Sequence, residues 1–166
     1  MIRSLFTARG ALLCALAAGA ACHHRRAEHA VPPTAPDSLR GTVSVTGSSL
    51  EQRLVLRSGE LAVYLRASPA DSAALERIAG VQVLVRGKAD STVFCVTDFT
   101  VVLVDAAPAL DGVLRNDGGQ LILETRTRRV VLGNPPVALR SLVGARVWIT
   151  GAAATGPLVY GIISRP

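Results

Sequence analysis

Four side chains in the first half of the chain combine residue types that can bind an anionic ring. Arg53, Arg57, Tyr64 and Arg66 fall in two stretches of alternating apolar and polar residues. A period of two predicts β-strands, and it places these four side chains on the face opposite the leucines. A tyrosine ring can stack on a base or a sugar, and guanidinium groups can hold phosphate or carboxylate through paired hydrogen bonds. The same pattern also fits an ordinary solvated strand face.

Residue types used in catalysis are otherwise poorly placed. The three histidines, His23, His24 and His29, lie in a proline-containing stretch near the N-terminus, so a Ser-His-Asp or Cys-His arrangement is not expected in the body. Aspartates near the ends of predicted strands, such as Asp105 and Asp111, are expected to bind their own backbone. The histidine spacing does not define a metal site, and no glycine-rich phosphate loop occurs. We therefore expect a protein that is not an enzyme and uses no metal and no cofactor.

The N-terminal segment is organised as a secretory signal peptide. Arg3 and Arg9 precede an apolar stretch at residues 10–18, which is too short to span a bilayer as a helix. Small residues then lead into Cys22, and this arrangement resembles the lipobox of bacterial lipoproteins. The resemblance implies cleavage before Cys22 and lipidation of that cysteine. Because His23 follows it, the resemblance also implies sorting to the outer membrane. Ordinary cleavage at the same place, with an unmodified cysteine, is the alternative.

Composition limits the possible partners. Loss of residues 1–21, which carry two arginines and no acid, lowers the formal net charge from +6 to +4. This mild surplus is far from the clustered charge of a nucleic-acid-binding protein, so nucleic acid is not expected as the main partner. Of the three cysteines only Cys95 remains in the body, which predicts no disulfide framework. Its apolar strand pattern predicts a buried, unreactive thiol.

Six positions of the body recur with identical spacing 64 residues later. Leu75, Ile78, Gly80, Val83, Val85 and Gly87 return as Leu139, Leu142, Gly144, Val147, Ile149 and Gly151. A repeat of this kind indicates duplication of one small unit.

Each unit has the pattern of three strands, a helix and two strands. In the first unit the helix is predicted at residues 69–79 and ends at Gly80; in the second, residues 137–143 form at most a single turn. This order resembles the oligonucleotide/oligosaccharide-binding (OB) fold, a five-stranded barrel. The resemblance implies a mainly all-β protein with two tandem OB-like barrels, each with a short helix between strands 3 and 4. A six-stranded SH3-like barrel or one continuous sandwich is also compatible with the periodicity.

The predicted organisation has four parts. They are a signal peptide at residues 1–21, a lipid-anchored flexible tether at 22–38, a first barrel at 39–107 and a second barrel at 108–166. The alternation leaves Leu84 and Trp148, which are equivalent positions, on outward faces, and Arg146 lies beside the tryptophan in sequence. We expect these three residues at an interface between the units, which would pack into one body.

These observations predict a non-catalytic envelope lipoprotein with its body in the periplasm. The expected partners are the membrane, through the N-terminal lipid, and another envelope protein. The alternative is a ligand-binding module for an anionic glycan or single-stranded nucleic acid through the Arg53, Arg57, Tyr64 and Arg66 face.

Overall fold

The computed structural model describes residues 38–48, 50–151, 153 and 156–166, and the chain is mainly β in these ranges. The first half contains β1 (Ser38–Thr46), β2 (Arg53–Ser58), β3 (Leu61–Arg66), α1 (Pro69–Arg77), β4 (Gln82–Asp90) and β5 (Val93–Val104). The second half contains β6 (Ala107–Asp117), β7 (Gln120–Thr125), β8 (Arg129–Val131), α2 (Val137–Arg140), β9 (Arg146–Gly151) and β10 (Leu158–Ser164). The predicted signal peptide and Cys22 lie outside the described residues, and so does the predicted tether up to residue 37.

The five strands of the first half close into a barrel. Going round it, β1 pairs with β2, β2 with β3, β3 with β5, β5 with β4 and β4 again with β1. Only the β3–β5 pair is parallel, and it joins Tyr64 to Val93 and Arg66 to Cys95. The inward positions of the alternating strands are buried aliphatic and aromatic side chains, including Val83 and Phe99. The predicted β-barrel architecture is therefore confirmed for this half.

Helix α1 covers part of the first core and confirms the predicted helix. The Ser68 hydroxyl accepts a hydrogen bond from the Asp71 amide at 3.1 Å, and Pro69 occupies the first turn, where its missing N–H costs nothing. Leu75 and Ile78 are buried in the core. Because Gly80 has a φ of +93°, the chain can turn directly into β4 without the steric penalty of a side chain.

The second half is an open ladder. Its order is β8–β7–β6–β9–β10, and no ladder joins β8 to β10 within the described part of the chain. One backbone hydrogen bond, from the Gly133 amide to the Ala153 carbonyl at 3.1 Å, links the segments that follow β8 and β9. A second core of eight residues lies inside this ladder: Leu114, Leu121, Leu123, Leu132, Leu139, Ala145, Val147 and Ile149.

The two halves share a local backbone arrangement between helix and strand. The Gly80 amide donates to the Val43 carbonyl at 2.8 Å, and the Gly144 amide donates to the Leu114 carbonyl at the same distance. The two glycines also have nearly equal φ angles, +93° and +92°. Both belong to the 64-residue repeat, so these equivalent glycines have the same backbone environment.

A tight hairpin connects the halves. Asp105 and Ala106 both have positive φ, 48° and 63°, as a type I′ turn requires, and the strands that they join pair from Val104 to Ala107. Strand β6 therefore begins at Ala107, directly after the turn. All described residues belong to one compact unit. None of the helices in the described ranges is long and apolar enough to cross a membrane.

Candidate functional site

The cleft at the ends of β2 and β3 contains three of the four residues predicted to bind an anionic ring. Arg53, Tyr64 and Arg66 line a cavity of about 430 Å³, together with residues from α1 and the β4–β5 turn. The β2–β3 register places Tyr64 opposite Val55, on the face away from the first core. Alternation along the two strands therefore delivers the ring and both guanidinium groups to one side of the sheet.

The charges of this cleft are only partly neutralised. The Arg53 guanidinium carbon lies 5.8 Å from the centre of the Tyr64 ring, within the range of a cation–π interaction. Arg66 lies 3.7 Å from the Asp90 carboxylate, but both side chains are exposed, so this pair contributes little stability. Glu76 of α1 contributes a negative charge to the lining. The arrangement can stack a planar ring on Tyr64 and hold an anionic group by the arginines.

Arg57 does not line this cleft. It pairs across the sheet with Thr42 and Ala62, farther from the open end of the strands, and it is exposed. Conversely, the cleft is lined by Gln52, Glu76 and Thr92, which the sequence did not single out. These three come from separate segments that only the folded barrel brings together, so no local pattern could have identified them.

The corresponding face of the second half is organised by ion pairs. The Glu124 carboxylate accepts hydrogen bonds from Arg115 at 3.1 Å and from Arg129 at 3.4 Å. The hydrogen bond from Arg115, helped by the positive charge of Arg129, lowers the pKa of Glu124 below its ordinary value of 4.5. The aromatic ring that Tyr64 provides on β3 has no equivalent on β8, the third strand of the second half, where the residues are Arg129–Val131.

Comparison with known protein families and with curated proteins finds no match to this chain.

Trp148 and Leu84, two of the predicted interface residues, are both half-buried. Trp148 of β9 packs against the first core, which also contains Ile163 of β10. A side-chain carbon at Gly161 would collide with the Trp148 indole, so the glycine makes room for the ring. Arg77 of α1 donates to the Ile163 carbonyl and adds a polar contact between the halves.

Arg146, the third predicted interface residue, forms a buried ion pair with Asp111. Its guanidinium donates to the two carboxylate oxygens at 2.8 and 2.7 Å, and to the Phe99 carbonyl at 2.6 Å. Asp111 in turn accepts from the Val101 amide at 2.8 Å. The ion pair thus satisfies backbone hydrogen-bonding groups of β5 at positions where β5 is no longer paired with β6. The expectation that Asp111 binds its own backbone is wrong, because its partner amide lies on the neighbouring strand.

The remaining predicted sites add no further cluster. Cys95 is half-buried in β5, less enclosed than its sequence pattern predicted. Within the described ranges, histidine, cysteine and carboxylate side chains do not come together in groups of three or more that could hold a metal ion. Cys22, the predicted lipidation site, lies outside those ranges.

Proposed function

We propose that this protein is a non-catalytic lipoprotein of the bacterial envelope that binds another envelope protein in the periplasm. In this proposal it is exported, anchored to the outer membrane by lipid on Cys22, and held away from the bilayer by the stretch up to residue 38. The observation that favours protein binding is the open ladder of the second half. The proposal that the body is not an enzyme follows from the placement of the histidines in the sequence.

The open ladder offers two strand edges to a partner. Strands β8 and β10 each pair on one side within the described residues, with β7 and β9. Each also carries an exposed valine: Val131 is 47% exposed and Val159 is 61% exposed. Unpaired strand edges are templates for an added strand, since their backbone groups can hydrogen-bond to an extended segment of another protein. An extended segment of the partner would add a strand between the edges of β8 and β10.

We also propose that each half descends from one OB-like unit. The closed strand order of the first half, its parallel β3–β5 pair and the position of α1 between β3 and β4 support this. For the second half, support comes from the same order of elements and from the matching backbone bonds at Gly80 and Gly144. In this view the second unit is a barrel whose third and fifth strands no longer meet.

A photo-cross-linking experiment in cells tests the strand-edge proposal. A photoreactive residue at Val131 or at Val159 should form an adduct of the same mass with one envelope protein. The matched control is Leu61, which is 70% exposed on the hairpin between β2 and β3 and should give no such adduct. The substitution Val159→Lys should abolish the adduct formed from position 131, because a lysine on an edge opposes strand addition. An adduct that survives Val159→Lys, or that forms equally from position 61, would contradict the proposal.

The anchor requires a separate experiment. The membrane-extracted protein should have an intact mass that begins at Cys22 and includes three acyl chains, and Cys22→Ala should release it from the membrane. An unlipidated mass, with both proteins soluble, would refute the anchor and leave the strand-edge proposal to be tested by itself.

A second candidate function is supported by the β2–β3 cleft, which would bind an anionic glycan or single-stranded nucleic acid. The supporting observation is the association of Arg53 with the Tyr64 ring beside Arg66. Binding of a single-stranded oligonucleotide or an acidic oligosaccharide should weaken steeply with salt. Replacement of Arg53, Tyr64 and Arg66 by alanine should abolish it, whereas Arg40→Ala, on the exposed surface of β1, should not. Unchanged binding by the triple variant would exclude this site.

A further inference from the structure

A groove between the halves has the composition of a second, independent ligand site. This interhalf groove has a volume of about 520 Å³ and is lined by residues of β4, β5, β6 and the β7–β8 turn. Leu84, Val102 and Leu110, all half-buried, form its apolar surface. Arg86 and Arg128 belong to its polar lining. Its size falls in the range of roughly 300–1,000 Å³ that is typical of small-molecule sites.

Hydrogen bonds within the β7–β8 turn hold its backbone in place. The Thr125 hydroxyl donates to the Arg128 carbonyl at 2.8 Å and accepts from the Arg128 amide at 3.1 Å. The Thr125 amide also donates to the Arg128 carbonyl at 2.9 Å. These bonds close the turn on itself and fix the backbone of Arg126 and Arg128. Fewer backbone conformations are then lost when a ligand binds.

Positive charge is in excess around the groove. The Asp98 carboxylate forms ion pairs with both Arg86, at 3.3 Å, and Arg126. Arg128 has no ion-pair partner within the part of the chain that the structure describes. The negative charge of Asp111 is already neutralised by Arg146. Around the groove, three guanidinium groups are therefore balanced by the carboxylate of Asp98 alone among the described residues. An anion bound in the groove would reduce this surplus.

Thr100 also lines the groove, where it lies opposite Leu84 in the β4–β5 pair. Its hydroxyl oxygen has no hydrogen-bond partner among the described residues, but it is enclosed by protein atoms and offers no contact to a molecule in the groove.

We propose that the interhalf groove binds a small organic anion that has an apolar body. The anionic group, a carboxylate or a phosphate, binds Arg128 together with Arg126. The apolar body packs on Leu84 and Leu110. This site is separate from the β2–β3 cleft and does not depend on the strand-edge partner.

Hexanoate, hexyl phosphate and hexanol are the probes that test this site. Titrated into the purified full chain, hexanoate or hexyl phosphate should shift the amide NMR signals of Thr100 and Leu110, and the tighter of the two identifies the preferred anionic group. Hexanol has the same apolar body without the charge and should bind at least fivefold more weakly. No shift with either anion at 20 mM, shifts confined to Tyr64 and its neighbours, or equal binding of hexanol would overturn the proposal.

Matched variants separate the groove from general surface charge. Arg128→Gln should weaken binding of the better anion at least fivefold, whereas Arg129→Gln, whose side chain pairs with Glu124, should change it less than twofold. Equal losses in the two arginine variants would contradict the proposed contacts.

Discussion

The two halves of the molecule share an order of elements, but within the described residues only the strands of the first half close into a barrel. In the first half, β3 is six residues long and its end reaches β5. In the second, β8 has only three residues. Pro135 and Pro136 follow soon after it, and a proline cannot donate a ladder hydrogen bond. In the described part of the chain, the shorter third strand thus belongs to the half that has no ladder between its third and fifth strands.

The same difference separates the surfaces available for binding. The closed half has a charged cleft at the ends of its strands, whereas the open half has strand edges. Between them lies a contact built from side chains, in which Asp111 and Arg146 occupy the backbone groups of β5. The same order of elements thus gives two different kinds of surface in the two halves.

The largest expected effect is loss of the buried ion pair that joins the halves. Asp111→Ala leaves Arg146 and the Val101 amide without their carboxylate, and it should lower the free energy of unfolding by about 3–5 kcal/mol. Arg115→Ala, which breaks an exposed pair with Glu124, should lower it far less, because water screens this pair. Urea unfolding measures both. Equal losses in the two variants would show that the buried pair does not join the halves energetically.

A pair of equivalent leucines compares the closed core with the open one. Leu75 and Leu139 are both fully buried and occupy the same place in the repeat. Leu75→Ala should cost about 4 kcal/mol because the closed barrel cannot collapse around the cavity. Leu139→Ala should cost about 2–3 kcal/mol, since the open ladder can adjust. The free energies of unfolding of the two variants measure this, and a larger loss for Leu139→Ala would reverse the comparison.

The two helices differ in how their ends are satisfied. Ser68 caps α1 through the Asp71 amide, so Ser68→Ala should lower the free energy of unfolding by about 1 kcal/mol. Helix α2 has no side-chain cap at its start. Ser141→Ala, at its exposed end, removes a bond to the Ala138 carbonyl and should cost about 0.5 kcal/mol or less. Thermal unfolding distinguishes the two variants, and equal changes in their melting temperatures would refute the cap at Ser68.

The smallest expected effect is a titration on the second half. NMR titration should give Glu124 a pKa below 4.5, and Arg115→Gln should move it back towards that value. Because its pKa in the folded protein is lowered, Glu124 stabilises the fold above its unfolded pKa. This contribution disappears as the pH falls through the folded value. A pKa at or above 4.5 in the unchanged protein would show that the pairs with Arg115 and Arg129 do not persist in solution.

Local patterns were enough to predict most of the elements. The alternation of the strands, the cap at Ser68 and the glycine after α1 are encoded within a few residues of where they act. The β3–β5 pairing, by contrast, joins Tyr64 to Val93, and the second half, whose β8 is shorter, has no such ladder in the described part of the chain. Periodicity describes the faces of single strands, so it could not decide which barrel closes.

The candidate site was predictable to the same extent. Alternation placed Arg53, Tyr64 and Arg66 on one face, but it could not show that Arg57 lies beyond the cleft. The Asp111–Arg146 pair spans 35 positions. Its two residues lie on β6 and β9, which become neighbours only in the folded chain, so no local pattern predicted this contact.

The position of Trp148 makes the contact between the halves directly observable. It is the only tryptophan of the chain, and its indole packs against the first core beside Gly161 of β10. The tryptophan fluorescence of this protein therefore comes from the place where the second half meets the first. If the halves separate before either one unfolds, the emission maximum will shift to longer wavelength while the circular dichroism of the strands is unchanged.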